Sequence, residues 1–300
     1  MPRISEPITQ QPQGKAVSQI STADNLFKPP QTIVIQPRKR LSVRDFTEMW
    51  QYRDLCWTLS IRDIQIRYKQ TLLGAVWALL QPLATSGVAT VVFGHFLGLA
   101  SGSLADYFLQ VFPAMIIWSL FSAIITATSN SLVSNAEMLR KVYFPRLIIP
   151  LSSAGAPLLD FLVASSVAIA FLTFTTQSIS IHFLLIPLIV LSTLIAAFGI
   201  GLSLAALTVV YRDFRLVVPF MVQLLFFVTP VLYALPVTDK WLPYASLNPM
   251  FGPITTLRAI LEGNPYSFTP WAISLSISAT TLSFGIFVFT RIERKFADIV

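Results

Sequence analysis

Long stretches without a single Asp, Glu, Lys or Arg run through this chain, and they constrain its fold more than any other feature. Four of them are uninterrupted: 70–105, 107–136, 216–238 and 263–290. A fifth stretch, 147–211, contains Asp160 as its one charged residue and has room for two spans with a turn near 176–182. A transmembrane helix needs about 20 apolar residues. The simplest prediction is therefore six transmembrane helices, at approximately 74–96, 107–132, 147–174, 183–210, 216–235 and 270–290.

The composition supports a chain that is solvated by lipid. Hydrophobic residues make up 54% of it and charged residues only 12%, which is too little charge to cover a water-soluble surface. Open strand edges cannot satisfy their backbone groups in hydrocarbon, so the spans must be helical. We predict an all-α integral membrane fold. Prolines inside the spans predict kinks: Pro113, Pro157, Pro187, Pro219 and Pro230.

The positive charge is concentrated on one side of the predicted topology. Of the 21 Lys and Arg residues, all except Lys240 and Arg258 precede the first span or follow the second, fourth or sixth. By the positive-inside rule, both termini are expected in the cytoplasm. The net charge of +7 is thus a topology signal, and we expect no nucleic-acid partner.

The region before the first span divides into two parts. Residues 1–45 contain six Pro, six Gln and a single aromatic residue, Phe27, which predicts a disordered cytoplasmic tail. Residues 46–73 predict an amphipathic interface helix, because apolar residues recur at helical spacing in its second half. That apolar stripe consists of Trp57, Ile61, Ile64, Tyr68 and Leu72.

Charged residues of this helix lie mainly off the stripe, among them Arg62 and Lys69. Asp63 and Arg67 are spaced for an i, i+4 ion pair. The single cysteine, Cys56, has no partner for an intramolecular disulfide and no metal-ligand spacing, so it is expected to be a small apolar filler.

The loop after the second span predicts a short helix at 135–142. Ser134 and Glu137 have the spacing of a capping box. Arg140 and Lys141 would lie in the last turn, where cations complement the helix dipole, and Pro145 prevents continuation. Such a short helix is unstable alone in water. It must pack either on its own membrane domain or on a partner protein, and the residues leave both possibilities open.

Two features inside the predicted spans are informative. Asp160 would cost at least ~2.5 kcal/mol to place in the bilayer, which favours a functional role. The alternative is a protonated or hydrogen-bonded structural carboxyl near Pro157. In the fourth span, Ala197, Gly201 and Ala205 form a stripe of small residues suited to close helix packing.

On the opposite side, residues 249–262 predict a helix too short to cross the membrane. Asn248 suits its N-cap, Pro249 its first turn and Gly263 its C-terminal stop. Fourteen residues span about 21 Å, so we expect short re-entrant or surface-lying helices. An apolar face and an aromatic belt support this interpretation. The face comprises Met250, Ile254, Leu257 and Leu261, and the belt comprises Trp241, Tyr244, Phe251, Tyr266 and Phe268.

Motifs for catalysis are absent from the sequence. There is no phosphate loop, and His95 and His182 have no Cys or acidic partners in sequence. We therefore expect no bound cofactor, no metal and no enzymatic activity. A membrane enzyme or a proton-coupled carrier that uses Asp160 is the contrasting hypothesis.

Several segments, in order, resemble permeases of ATP-binding-cassette (ABC) transporters that export polysaccharides. They are RDIQIRYKQTLLGAVWALLQP (62–82), NAEMLRKVYFPR (135–146), YRDF (211–214), NPM (248–250) and FAD (296–298). The resemblance extends over residues 50–300. It implies a bacterial cytoplasmic-membrane protein that moves a lipid-linked polysaccharide of the O-antigen, capsule or teichoic-acid type. Export of a drug or small lipid by the same architecture is the alternative.

The resemblance also implies roles for individual residues within domain 74–300 and its flanking helix. A homodimer would bind two ATPase subunits, which hold ATP and Mg²⁺. The coupling helix to the ATPase would comprise Asn135, Glu137, Met138, Leu139, Arg140, Lys141 and Val142. The interface helix would use Arg62, Arg67, Tyr68 and Lys69. The periplasmic gate would include Trp241, Tyr244, Asn248, Pro249 and Arg258.

Overall fold

All regular structure in the described part of the computed structural model is helical. The description covers residues 49–69, 71, 74, 76–100, 102–175, 181–233, 241–265 and 267–293. The predicted tail, Leu72, Tyr266 and the closing 296–298 motif lie outside these residues. The helices are α1 (Arg53–Tyr68), α2 (Val76–Ala89), α3 (Leu104–Ser134), α4 (Ala136–Lys141), α5 (Ile148–Ser152), α6 (Gly155–Thr175), α7 (Ile186–Val210), α8 (Phe214–Val228), α9 (Leu242–Ala245), α10 (Phe251–Glu262) and α11 (Phe268–Glu293). A π-helical segment, Thr90–Phe96, extends α2, and a 3₁₀ turn, Ile181–Leu185, precedes α7.

Among the described residues, five helical segments are long and apolar enough to cross a membrane. They are Val76–Phe96, Leu104–Ser134, Ile148–Thr173, His182–Val210 and Phe268–Glu293. The predicted span at 216–235 corresponds to α8, which has only 15 residues before it ends next to Thr229. The all-α integral membrane fold is thus confirmed, and a total of six crossings stays a prediction.

The long helix α3 is the centre of the bundle. Most of its residues are buried, and it packs against α2, α6 and α7. Its first turn is closed by a reciprocal capping box: Ser103 Oγ accepts from Asp106 N, and Asp106 Oδ2 accepts from Ser103 N. Both backbone donors are thereby satisfied at the point where the helix enters the bundle.

Helices α7 and α11 form the closest helix pair, and glycine makes their approach possible. A Cβ atom on Gly285 would lie 2.3 Å from the carbonyl oxygen of Gly199. On the face of α7 toward α3, a Cβ on Gly201 would lie 2.9 Å from Thr128 Cβ. The predicted small-residue stripe is confirmed, since Ala197 and Ala205 are fully buried and Gly201 is buried.

The bundle has two chemically different ends. At the first, which we call the basic end, Leu59, Leu132, Phe144 and Phe289 share one buried cluster. The chain segment that follows α3 at this end contains Arg140, Lys141 and Arg146. Cys56 is half-buried there, as expected for a filler, and burial raises the pKa of its thiol. The opposite end, called the far end, contains α9, α10 and the start of α3.

Helix α10 confirms the expectation of a short helix at the far end. It has 12 residues, about 18 Å, and ends at Gly263, whose φ of 68° is left-handed. Met250, Ile254 and Leu257 are buried and Leu261 is half-buried. The predicted start was wrong: the helix begins at Phe251 rather than at Pro249, because the Asn248 side chain accepts from Met250 N in a turn before it.

Candidate functional site

The short helix α4 projects from the basic end with one face on the bundle. Met138 and Leu139 pack against the buried cluster, whereas Glu137, Arg140 and Lys141 are exposed. Beyond it, Val142 and Tyr143 are 56% and 68% exposed. The predicted helix is confirmed to within a residue at each end, and its outward face is charged with an apolar edge.

The predicted capping box of this helix is wrong. Ser134 is the last residue of α3, and Asn135 flanks α4 without capping it by a side-chain hydrogen bond. The Asn135 amide is used elsewhere: Oδ1 accepts from Arg62 Nη2 at 2.7 Å, and Nδ2 donates to Ser131 O at 2.9 Å. Glu137 instead faces Lys141 at 3.8 Å, in a pair that is largely exposed.

Two anchors hold the ends of the α4 loop. Arg62 of α1 contacts Asn135 and also pairs with Asp63 at 2.7 Å. At the other end Phe144 is buried, and Arg146 donates to the backbone oxygen of Glu293 at 2.7 Å. A force on α4 would therefore reach α1 and α11 directly. Asp63 is committed to Arg62, so the predicted Asp63–Arg67 pair is wrong.

Asp160 is contacted by the last turn of α1. Its Oδ2 pairs with Arg67 Nη2 at 2.7 Å, and its Oδ1 accepts a hydrogen bond from the Tyr68 hydroxyl. The Asp160 side chain is only 16% exposed, whereas Arg67 is 49% exposed. The acid predicted from sequence thus joins the interface helix to α6. Lys69, the fourth predicted residue of this helix, is exposed at its end.

The predicted apolar stripe of α1 is only partly correct. Trp57 is 69% exposed, and the buried position is Leu59. The helix lies on α5 and α6, where Ser60 Oγ donates to Ser152 O at 3.0 Å. A Cβ on Gly155 would approach Ser60 Cβ to 2.6 Å, so this contact is close. Contact with the bundle rather than apolar periodicity determines which face is buried.

A groove of about 950 Å³ starts beside Arg67 and Asp160 and runs between α2, α3, α6 and α8. Its walls combine aromatic rings with amide and hydroxyl groups, and none of its lining residues other than Arg67 and Asp160 is charged. The aromatic members are Tyr68, Trp77, Trp118, Phe161, Phe226 and Phe227. The polar members include Gln81, Thr85, Ser122, Thr126 and Gln223.

Aromatic contacts join the two long walls of the groove. The rings of Trp118 on α3 and Phe226 on α8 lie 5.4 Å apart. Trp77 and Phe227 are 55% and 60% exposed, so their faces are open to the groove or to a neighbour. The groove was missed at the sequence level, although Gln81 and Gln223 stand out as amides within charge-free stretches.

At the far end, the segment after α8 is fixed by side chains from two helices and from the turn before α10. Arg258 is only 7% exposed, and its Nη atoms donate to the backbone oxygens of Tyr233, Val231 and Pro230 at 2.9, 3.2 and 3.4 Å. Burial lowers the pKa of this guanidinium, against the influence of the nearby Glu262 carboxylate. The Tyr107 hydroxyl donates to the backbone oxygen of Leu232.

The other predicted far-end residues divide into two groups. Asn248 Nδ2 donates to Thr229 Oγ1 at 2.8 Å, which places it with Arg258 on the same segment. Trp241 and Tyr244 are each 67% exposed, with ring centroids 5.8 Å apart. Pro249 lies between these groups, in the turn that precedes α10.

The comparison with known protein families accounts for this arrangement. The family described as ABC-2 type transporter matches residues 54–261. The chain belongs to the ABC-2 type transporter family. The match includes α1 from its second residue, α4, the groove and Arg258. The Glu293 oxygen that accepts from Arg146 lies beyond it. The protein is accordingly a multi-pass membrane subunit of a transporter.

Curated relatives of this ABC-2 type transporter chain carry one name. A protein of Klebsiella pneumoniae named O-antigen export system permease protein RfbA is 27% identical over 251 residues, which cover 82% of this chain and 95% of the relative. A second Klebsiella pneumoniae protein of that name is 26% identical over the same shares. A Myxococcus xanthus protein of that name is 26% identical over 260 residues, 85% of this chain and 99% of the relative.

Proposed function

We propose that this chain is the permease of an ABC exporter that moves a lipid-linked polysaccharide out of the bacterial cytoplasm, across the inner membrane. The groove is the observation that carries the substrate class. Aromatic rings offer flat apolar faces, and Gln amides offer both donors and acceptors, the groups that sugar rings and their hydroxyls require. The names of the curated relatives support the same substrate class. O-antigen, capsule and teichoic-acid chains all fit this chemistry.

Two copies of the chain are expected to close the groove into a channel. Helix α8 lines the groove, yet Val218 is its only buried residue in the described structure. Its exposed residues include Leu216, Phe220 and Leu224, and α2 exposes Val88 in the same way. These apolar side chains are suited to lipid, but the amide and hydroxyl groups of the groove, such as those of Gln81 and Gln223, are not. A homodimer would cover them.

ATP would be bound and hydrolysed by two separate ATPase subunits that dock on α4. The chain itself would then need no enzymatic chemistry, because the partner would hold ATP and Mg²⁺. The exposed charged face of α4 is the docking surface, and the anchors at Arg62 and Arg146 would transmit nucleotide-driven movement to α1 and α11. Both termini would then lie in the cytoplasm with the ATPases.

The contrasting hypotheses are less well supported. Asp160 has both carboxylate oxygens engaged by Arg67 and Tyr68, which leaves no free carboxylate for a proton-coupled carrier. For export of a drug or small lipid, the groove has more amide and hydroxyl groups than a mainly apolar substrate would use, Gln81 and Gln223 among them. We therefore place the polysaccharide first.

Substitution of the groove amides tests the substrate assignment. In a strain that depends on this chain for glycan export, Gln81→Leu with Gln223→Leu should reduce surface glycan at least several-fold, because hydroxyl partners are lost. Lipid-linked glycan should accumulate inside the cell. The control is Met221→Leu, a volume-conserving change on the same helix as Gln223, at a position that does not line the groove.

Two measurements decide this test: surface glycan by antibody or lectin binding, and permease abundance by blotting. Normal surface glycan in the double Gln variant, at normal abundance, would contradict the proposed substrate class. If the double variant exports a small lipid or drug normally while the glycan is blocked, the polysaccharide assignment is supported further.

A further inference from the structure

The segment Thr229 to Tyr233 interrupts the helical course of α8 after 15 residues, about 22 Å, which is too short to cross the hydrocarbon core as a helix. Since the helix ends at Val228, the backbone oxygens that follow have no partners within a helix. In an apolar environment such groups must be satisfied by other donors. This segment is also the far-end continuation of the groove wall, because Phe226 and Phe227 line the groove immediately before it.

Four consecutive backbone oxygens in this segment accept side-chain hydrogen bonds. Arg258 donates to the oxygens of Pro230, Val231 and Tyr233, and the Tyr107 hydroxyl donates to the oxygen of Leu232. The preceding Thr229 hydroxyl accepts from Asn248. The donors come from α10, α3 and the turn before α10. No other described segment of this chain has such a run of side-chain donors on its backbone.

The choice of arginine is informative. A buried guanidinium is costly unless its donors are satisfied, and no carboxylate lies within ion-pair distance of Arg258 among the described residues. Its Nε also lacks a partner there. Single carbonyls could be satisfied by Ser or Asn. Arginine carries five donors on three nitrogens of a planar fork, so it reaches acceptors that are more widely separated than the single nitrogen of lysine can reach.

Helix α10 is itself fixed to α11. Ser274 Oγ accepts from Gly252 N at 3.0 Å and donates to the backbone oxygens of Asn248 and Ser246 at 3.1 and 3.2 Å. A Cβ on Gly252 would lie 2.6 Å from Trp271 Cα, so the two helices are in backbone contact. Polar contacts thus join the end of α8 to α10, and α10 in turn to the start of α11.

We propose that Arg258 is a positioning residue that ties the far end of α8 to α10, so that the outlet opens between two copies of the chain and not between α8 and α10 within one copy. This inference rests on the proposed export function. The inference goes beyond the proposed function because it specifies that the contacts between α8 and α10 persist throughout the transport cycle. The α8 wall and the short far-end helices then move as one body when the partner ATPase binds nucleotide.

Distances between spin labels test the tie. In a Cys56→Ala background, labels at Leu224→Cys on α8 and Asn264→Cys after α10 report the separation within one copy. Both positions are exposed. Dimers with one labelled copy are assembled with the ATPase and measured without nucleotide and with trapped ATP. We expect the same distance distribution in both states, whereas labels at Leu224 in both copies should change separation.

Variants at the tie supply the second half of the test. Arg258→Lys retains the charge but has all of its donors on one nitrogen, so it should lose part of the contact with the separated oxygens. It should broaden the distribution within one copy and reduce export. Tyr107→Phe removes one donor and should give a smaller broadening, which keeps the test decisive if Arg258→Lys does not fold. Arg212→Lys, the same change at an exposed arginine, is the matched control and should leave the distribution as it is.

Three outcomes would overturn the proposal or separate it from the proposed function. A distance within one copy that shifts on ATP binding would show that α8 and α10 separate. Unchanged distributions in both Arg258→Lys and Tyr107→Phe would show that these residues do not form the tie. If ATP changes no distance at all, the proposed export function is contradicted. The comparison of the unsubstituted chain with Arg258→Lys in the absence of nucleotide still tests whether Arg258 ties α8 to α10.

Discussion

At the scale of single residues, the pairing of Asp160 is the most consequential observation. Arg67 and Tyr68 reach this carboxylate from the last turn of α1, at the end of the groove nearest the basic loops. Position 160 could be recognised from sequence because it is the one acid in a long apolar stretch. Its partners could not be recognised in this way. Tyr68 lies 92 residues away in the chain, and sequence spacing carries no information about contacts at such a separation.

The two partners of this pair should contribute unequally to stability. Arg67→Met leaves the mostly buried Asp160 with Tyr68 alone, and we expect a loss of about 1–3 kcal/mol. Asp160→Asn should cost less, because Arg67 is half-exposed and can be solvated. Thermal unfolding in mild detergent measures both. The control is Arg53→Met, an exposed arginine whose neighbouring Asp54 is 92% exposed.

The order of these effects is the critical result. A double variant, Arg67→Met with Asp160→Asn, should recover part of the loss, since neither charge is then left unpaired. If Asp160→Asn proved more destabilising than Arg67→Met, the carboxylate would have a role other than receiving Arg67.

At the scale of elements, the sequence predicted which helices exist better than how they start and pack. Long apolar stretches define α3, α7 and α11 because lipid leaves the backbone no alternative. The short helices α4 and α10 were also predicted, within two residues at each end. The stop of α10 at Gly263 was predicted correctly, but the N-terminal caps were not. Ser134 is the last residue of α3, and Asn248 contacts Met250 N in a turn and the Thr229 hydroxyl.

Helix α4 should be sensitive to charge on its outer face. Glu137→Arg disturbs only an exposed pair worth well under 1 kcal/mol, so the protein should fold and insert normally. Coupled ATP hydrolysis should nevertheless fall several-fold, because Glu137 lies on the face proposed to dock the ATPase.

A matched control exists on α1. Asp54→Arg reverses the charge of a carboxylate that is 92% exposed, as Glu137 is, and that also faces a neighbouring cation. It should leave coupled hydrolysis unchanged. Equal loss in both variants would show a general surface-charge effect, and no loss in Glu137→Arg would contradict the coupling assignment.

The contact between α7 and α11 should tolerate no side chain. Gly285→Ala would place a methyl group 2.3 Å from the Gly199 oxygen, so the helices must separate. We expect a marked loss of folded protein, measured as monodisperse yield after extraction. Gly87→Ala in α2 is the control, because nothing lies within 4 Å of its added Cβ. Normal yield for Gly285→Ala would show that the two helices can move apart without loss of the fold.

At the scale of the whole molecule, composition and charge distribution were enough to predict an all-helical membrane protein. They could not predict the groove, because which residues face it depends on how α2, α3, α6 and α8 are rotated about their axes. The weak amphipathicity of α3 and α6 leaves their rotation to packing. Family membership adds the biological setting, and the groove adds a candidate pathway within it.

Reconstituted transport tests the central claim most directly. The chain and its ATPase are placed in liposomes with a lipid-linked polysaccharide on the ATPase side, and appearance of the glycan on the other side is measured with an impermeant lectin. We expect transport that requires ATP, is abolished when the ATPase is inactivated and does not depend on a proton gradient. Transport that continues with an inactive ATPase and collapses with the proton gradient would contradict the account.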